Sequence, residues 1–414
     1  MEKMFYSACL HQFKSLMRMR PANAEGFRMK LGKNPGGTHL VVHPGAELYG
    51  SDRVVLESVI ALREGGATVV VYLPARGPLV ELLQAHGAVV AFGPSLVLRK
   101  SLLHLVKWPK LARDVALGLI GGARVMVRYR PAVVLVNTVT LPLWPLLSQI
   151  FRVPSVSHVH EAEASANHLV RRALYAPHLL SAAVVLNSDF STRVLSDSFP
   201  GLAARSTVVY NGVPGPAERS APRQDLDGEI RVLFLGRLSE RKGPQVAIRA
   251  IRELKQRGIR ARLAIAGAAF EGKEQFADEL RGLVISLGVQ NEVAFTGFTP
   301  DIWPLLDDAD VLVVPSTVDE PFGNTAVEGI LAGRPVVVSN TSGLREAARG
   351  YESAIYVEPN DAQGIADALE RIYRDWGYFS THAATDAVAA EEKHSLVNYR
   401  KKIADIVLNA ADRR

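Results

Sequence analysis

Glu320-Pro321-Phe322-Gly323-Asn324-Thr325-Ala326-Val327-Glu328 is the stretch whose reading decides the fold. Ahead of it runs Ala309-Asp310-Val311-Leu312-Val313-Val314-Pro315-Ser316, a short apolar run that reads as a buried strand. A glycine turn then opens a helix. Strand, tight turn and helix N-terminus gather free backbone N–H groups and the positive end of a helix dipole at one point. Such a point attracts anions, phosphates above all. Glu320 and Glu328 flank the turn, and like charges repel, so neither serves the phosphate itself. Carboxylates suit hydroxyl groups, which donate hydrogen bonds to them. Phosphate and hydroxyls in one ligand imply a nucleotide sugar. The competing explanation is that these are surface glutamates favouring the helix dipole. It covers Glu328 poorly, because that residue lies past the first turn, and Glu320 poorly, because Pro321 follows at once.

Working outward, the pattern repeats. The apolar runs His39–His43, Thr68–Leu73, Val89–Phe92, Val133–Val136, Ser155–Val159, Ala182–Leu186 and Thr207–Tyr210 alternate with longer amphipathic stretches. The rhythm breaks at Val213-Pro214-Gly215-Pro216. It resumes with Val232–Leu235, Arg262–Ala266, Val293–Thr296, Val311–Val314, Val336–Ser339 and Ala354–Val357. This predicts an α/β protein of two tandem Rossmann-like, doubly wound domains with a cleft between them. The expected division is an N-terminal arm over 1–37, an acceptor-side domain over 38–213 and a linker over 214–228. A nucleotide-sugar domain over 229–375 and C-terminal helices over 376–414, crossing back to the first domain, complete it. A chain of 414 residues exceeds one ordinary core, which fits two domains.

The charge is uneven. Residues 1–213 carry 23 Lys/Arg against 12 Asp/Glu, a net +11, and the remainder carries −5, which together give the overall +6. A basic first half suits an anionic partner, such as phospholipid or a lipid-linked acceptor, or it is simply solvated. Arg99, Lys100, Lys107, Lys110 and Arg113 surround Leu102, Leu103, Leu105, Val106, Trp108 and Leu111. That mixture reads as a basic amphipathic helix, interrupted at Pro109, lying on an anionic membrane surface or packed on the sheet. No nucleic-acid-binding module is evident. Residues 1–37 hold five of the six methionines and seven basic residues but lack the pattern of a signal peptide. They read as a poorly ordered or membrane-touching arm, or as the product of a start codon set too far upstream. No run approaches roughly 18 uninterrupted apolar residues, so no bilayer span is expected. The lone Cys9 cannot form an internal disulfide, which fits a cytoplasmic protein.

Other motifs sit at strand ends. Phe234-Leu235-Gly236-Arg237 and Lys242-Gly243 place a guanidinium and an ammonium after the first strand of the second domain. Arg237 is suited to gripping a diphosphate bidentately and Lys242 to acting as a point charge, without a metal. In the first domain, His43-Pro44-Gly45-Ala46-Glu47-Leu48-Tyr49-Gly50-Ser51-Asp52-Arg53 joins strand to helix, and Gly50 permits close backbone approach to a ligand. Ser157-His158-Val159-His160-Glu161 ends the fifth strand. His160 is the candidate to bond a sugar hydroxyl or shuttle a proton, the alternative being a core histidine. No G-x-G-x-x-G is present there, which argues against a dinucleotide-dependent dehydrogenase.

In this order the chain resembles a retaining glycosyltransferase of family four with the GT-B fold, the group that includes bacterial polysaccharide and phosphatidylinositol mannosyltransferases. The markers run from Gly50-Ser51-Asp52-Arg53 through His160, Val209-Tyr210-Asn211-Gly212-Val213 and Gly236-Arg237 with Lys242-Gly243. They continue with Phe295-Thr296-Gly297, Pro315-Ser316, the two-glutamate segment, Gly333-Arg334-Pro335-Val336-Val337 and Gly343-Leu344-Arg345-Glu346. The resemblance implies that Arg237 and Lys242 hold the donor diphosphate and that Glu320 contacts the transferred sugar. Phe322, Gly323 and Asn324 would offer amides to the sugar, and Thr325 to the diphosphate. Glu328 would hold the ribose, Gly297 and Phe298 would lie by the base, Gly50 would approach the phosphate, and His160 would sit near sugar and acceptor. It implies no cofactor and no metal. The partners it implies are a nucleotide-sugar donor of the UDP or GDP type and a glycan or lipid-linked acceptor, in cell-envelope or exopolysaccharide synthesis. The first-domain loop departs from the compact glycine-rich form, with Tyr49 and Ser51 flanking Gly50. The rival readings are a nucleotide-sugar-binding subunit without turnover and another GT-B enzyme such as a sugar epimerase.

Overall fold

The computed structural model describes residues 37–48, 50–98, 108–162, 167–269 and 274–412. The 1–36 part of the expected arm, together with Arg99, Lys100 and Lys107 of the basic segment, lies outside the described residues. The chain divides into two compact units.

The N-terminal unit runs through β1 (Thr38–Val42), α1 (Gly50–Glu64), β2 (Thr68–Leu73), α2 (Leu79–Ala85), β3 (Val89–Phe92) and α3 (Trp108–Tyr129). It continues with β4 (Val133–Val136), α4 (Leu143–Ile150), β5 (Ser155–Val159), α5 (His168–Tyr175), β6 (Ala183–Leu186), α6 (Asp189–Ser196), α7 (Pro200–Ala203) and β7 (Ser206–Val208). All pairings are parallel, in the order β3-β2-β1-β4-β5-β6-β7. Alternation sorts the side chains. Leu40, Val42, Val134 and Val136 join Trp144, Leu147 and Met126 in one apolar cluster. The intervening positions face the other side of the sheet. Strands buried on both faces read as continuous apolar runs, which is why their bounds are visible in sequence.

Pro109 occupies the first turn of α3, where a missing N–H costs nothing because no intrahelical partner exists there.

The C-terminal unit runs through β8 (Glu229–Leu235), α8 (Pro244–Gln256), β9 (Arg260–Ala266), α9 (Glu274–Ser286), β10 (Val293–Gly297), α10 (Trp303–Asp308) and β11 (Val311–Val314). Then come α11 (Asn324–Leu331), β12 (Val336–Ser339), α12 (Ser342–Ala348), β13 (Ala354–Val357), α13 (Ala362–Arg374) and α14 (Trp376–Lys393). Its sheet is parallel in the order β10-β9-β8-β11-β12-β13. Residues 214–228 carry no regular element, yet they are fastened to this unit. Arg223 pairs with the buried Asp310 at 2.8 Å, and Leu226 enters the core. Arg334 is fully buried, and its guanidinium donates to the carbonyls of Leu306, Ser220 and Asp307 at 2.9, 3.0 and 3.2 Å. The Gly333–Val337 marker is thus an internal brace tying three backbone segments together.

The last helix, α15 (Leu396–Ala411), belongs to the N-terminal unit, whereas α14 stays with the C-terminal one. There α15 packs on α1. Tyr399 Oη meets Ser58 Oγ at 2.7 Å, and Arg400 bonds Glu57 at 2.7 Å. Burial pushes the Glu57 carboxyl up, and the Arg400 guanidinium opposes that.

Candidate functional site

In both sheets the strand order reverses next to the first strand, between β1 and β4 and between β8 and β11. Loops leaving the C-terminal strand ends at such points diverge and leave room for a ligand. Arg237 and Lys242 follow β8, Glu320 follows β11 and Gly50 follows β1, whereas His160 follows β5 and Phe298 follows the edge strand β10.

In the C-terminal unit, the loops after β8 and β11 are locked together. Thr317 N donates to the Arg241 carbonyl at 2.9 Å, and Thr317 Oγ1 to the Glu240 carbonyl at 3.2 Å. Gly243, with φ of 74°, caps α8; a methyl there would lie 1.9 Å from the Pro315 carbonyl oxygen. Only glycine tolerates both the left-handed backbone and that approach. The lock sets Lys242 against Glu320: its Nζ lies 2.7 Å from both carboxylate oxygens. Ser316 Oγ donates to Oε1 of the same group. Glu320 is 7% exposed. Burial alone would raise its carboxyl, but Lys242, Ser316 and Arg241 outweigh that and hold it below the usual carboxylate range. Gly343 in the first turn of α12 presses on the same segment; a methyl there would sit 2.0 Å from the Glu320 carbonyl oxygen.

The other expected residues of this unit lie at or near the ends of its strands and helices. Arg237 is half-buried, one residue past Gly236 at the end of β8. Gly323 caps α11 with φ of 139°, and Asn324 and Thr325 fill its first turn, half-buried. Glu328 follows one turn on, half-buried. The Phe322 side chain turns inward, 3% exposed, with its ring 5.7 Å from that of His394. Gly297 ends β10, and Phe298 beyond it is 53% exposed.

In the N-terminal unit, Gly50 is exposed at the start of α1. His160 follows β5 directly and is 8% exposed. Alternation places His158 on the same face, and the two rings lie 4.0 Å apart. Burial, reinforced by His158 and His43, drives the His160 imidazole well below its ordinary value, so it is neutral. Its Nε2 meets Asn137 Oδ1 at 2.9 Å; the Asn137 amide nitrogen meets His43 Nδ1 at 3.0 Å; and His43 Nε2 meets Asp52 Oδ1 at 2.9 Å. The next residue, Glu161, accepts from the backbone of Val139 and His160 at 3.1 and 3.2 Å and from the Thr138 hydroxyl. Burial raises the Glu161 carboxyl, against the pull of those donors.

Sequence reasoning missed Asn137 altogether and read His43 only as the junction of the first strand and its loop. Each is the first residue past a strand, on the face opposite the cluster of Trp144 and Met126. With the strand order known, that signal alone would have joined them to His160. His158, weighed as a core histidine, is fully buried with neither ring nitrogen bonded among the described residues.

Comparison with known proteins agrees with this anatomy. Residues 49–214 match glycosyltransferase family 4, and residues 217–392 match glycosyl transferases group 1. Glycosyltransferase MJ1607 of Methanocaldococcus jannaschii, itself uncharacterized, is 31% identical over 285 residues, covering 63% of this chain and 70% of that protein. A D-inositol 3-phosphate glycosyltransferase of Acidothermus cellulolyticus is 33% identical over 244 residues, or 55% of this chain and 54% of its own length. Among solved structures, Anabaena Alr3699/HepE in complex with UDP and glucose superposes with a TM-score of 0.76 at 24% identity, over 89% of this chain and 99% of that one. The chain therefore belongs to glycosyltransferase family 4 and is a glycosyltransferase of the GT-B fold.

Proposed function

We propose that this enzyme moves a sugar from a nucleotide diphosphate sugar, of the UDP or GDP type, to a hydroxyl of a glycan or lipid-linked acceptor, with the anomeric configuration retained. The observation that carries the reading is the Lys242–Glu320–Ser316 cluster at the strand-order reversal, beside the amide-rich start of α11. Lys242 Nζ has three N–H donors and the Glu320 oxygens take two, which leaves one for a second anion. Arg237, Lys242 and the Thr325 amide would take the diphosphate as it leaves, stabilising charge that develops in the transition state. Glu320, held ionised, accepts from hydroxyls of the transferred sugar, with the Phe322, Gly323 and Asn324 amides beside it. Glu328 would hold the ribose, and Gly297 and Phe298 the base. In the N-terminal unit, Gly50 would approach the donor phosphate and neutral His160 would bond a sugar or acceptor hydroxyl.

Glu320 is better placed to bind hydroxyls than to attack carbon, because two donors already occupy its oxygens. The reaction that fits is front-face departure: the glycosidic C–O bond to the diphosphate breaks, the acceptor oxygen bonds to the same face of the sugar, and its proton passes to the departing diphosphate. Support for a nucleotide donor comes from the HepE structure, which holds UDP and glucose. The test is turnover of UDP- and GDP-sugars over a panel of acceptors. Nucleoside diphosphate should appear only when an acceptor is supplied, and proton NMR of the product should show the donor's anomeric configuration. Donor binding without product would identify a binding subunit, and a rearranged free sugar nucleotide an epimerase.

An anionic membrane surface is the partner that α3 supports. Leu117, Ile120 and Val127 are 43%, 49% and 61% exposed on it, with exposed Arg113, Arg124 and Arg128 on the same helix. Exposed apolar side chains among basic ones suit the headgroup region. Among the described residues no helix is long and apolar enough to cross a membrane. Cosedimentation with phosphatidylglycerol vesicles, but not with phosphatidylcholine vesicles, is expected for a peripheral enzyme on the cytoplasmic face.

A further inference from the structure

Three neighbouring strands of the N-terminal unit each end in a polar residue of the same network. His43 stands one past β1, Asn137 one past β4 and His160 one past β5, and Asp52 in the first turn of α1 closes the chain. All four are at least nine-tenths buried, at 1%, 0%, 8% and 4% exposure respectively. A row of buried polar groups is costly unless every member is satisfied, and here one atom is left over. His160 Nδ1 has no partner among the described residues.

We propose that Asp52, His43 and Asn137 are positioning residues that hold His160 as the Nε2-protonated tautomer, leaving its Nδ1 lone pair to accept a hydrogen bond from a substrate hydroxyl. The proposal rests on the reading of His160 as the group that meets a hydroxyl. The directions follow from donor and acceptor types. A carboxylate only accepts, so the proton between Asp52 and His43 is on His43 Nε2. With His43 uncharged, its Nδ1 then has a lone pair, which requires a donor. The NH₂ of Asn137 is that donor, so its carbonyl turns toward His160. A carbonyl only accepts, so His160 Nε2 carries the proton and Nδ1 carries none. Rotating the amide by half a turn would demand a proton on His43 Nδ1, which either faces Asp52 with a lone pair or makes His43 a cation. Asp52 thus sets a polarity that reaches His160 through two other side chains. A hydroxyl that donates to Nδ1 keeps its oxygen lone pairs turned away from the ring, which fixes its orientation.

The test reads the tautomer directly. Long-range ¹H–¹⁵N correlation spectra of the full chain with ¹⁵N-labelled histidine, assigned with His160→Gln, should show His160 protonated on Nε2. A wild-type His160 protonated on Nδ1, or one exchanging between the two forms, overturns the proposal without any variant having to fold. Asp52→Asn preserves shape but can offer an N–H to His43, so both polarities become available. We expect the His160 signal to become a mixture, kcat to fall about tenfold, as for one misdirected hydrogen bond, and donor KM to stay within about twofold. Asp52→Asn with an unchanged tautomer and full kcat, beside an impaired His160→Gln, would also overturn it. His160→Gln with full kcat would instead defeat the reading of His160 on which the proposal rests, and the tautomer result would show which of the two had failed.

Discussion

The two sheets end in opposite kinds of chemistry. At the reversal point of the C-terminal unit the side chains are charged: Lys242 and Glu320 are ion-paired, and Arg237 stands nearby. At the reversal point of the N-terminal unit the corresponding positions hold His43 and the amide of Asn137, with neutral His160 one strand over and one carboxylate at the far end of the network. The lesson is electrostatic. A group that leaves as a dianion needs fixed cations and oriented amides, whereas an arriving hydroxyl needs only direction and the exclusion of competing charge. On the proposed reading, one fold used twice would supply both, because the sheet fixes where a site lies and the loops fix its charge.

The sharpest way to break this contrast is to remove the charge. Lys242→Ala leaves Glu320 buried without its cation, and we expect turnover to drop by about 10²-fold or more, with a loss of stability of up to about 3 kcal/mol. Restoring neutrality with Lys242→Met/Glu320→Gln should recover most of the stability and none of the activity. Parallel steady-state assays and urea titrations would separate the two effects. Activity recovered by the neutral pair would mean that the charges serve folding alone.

Acid offers a second handle, because the histidines are unevenly shared. Burial lowers His39 and His178 to about 4 and His158 to about 3 in the N-terminal unit, where His160 is lowered as well. In the C-terminal unit His394, lowered to about 3 by burial and Lys393, is the counterpart. A buried neutral histidine binds no proton, while its unfolded form binds one below about 6.5. The stability each contributes is therefore complete above about pH 6.5 and declines as pH falls toward 4. At pH 5 each costs about 2 kcal/mol. Hydrogen exchange followed peptide by peptide at pH 7.5 and 5.0 should show the N-terminal unit loosening first. Uniform loss of protection in both units would contradict the uneven distribution.

The mildest expected effect lies at Phe298, half-exposed beyond β10. Phe298→Ala should leave stability within about 0.5 kcal/mol, as exposed substitutions do. If the ring stacks on the base, donor KM should rise several-fold with kcat held. An unchanged KM would remove Phe298 from the donor site and leave the rest standing.

Much of this was legible along the chain. Runs such as Val133–Val136 and Val336–Ser339 show as strands because burial on both faces makes them uniformly apolar, a local property. Gly323 announced a turn, and Lys242, Glu320 and His160 stood out by following strands. What could not be read was partnership. Lys242 and Glu320 are 78 positions apart and meet only because β8 lies beside β11. His43 and Asn137 are 94 apart and meet because β1 lies beside β4.

The amino-acid order alone thus determined two parallel α/β units, their strand bounds to within one residue except at β7, β8 and β9, and the residue types at their strand ends, since periodicity and turn chemistry act over a few residues. Tertiary structure decided which cation neutralises which carboxylate, that Arg334 is a brace, and that His160 stands at the end of a buried network. These depend on strand order and on distances across the sheet, which no local pattern encodes.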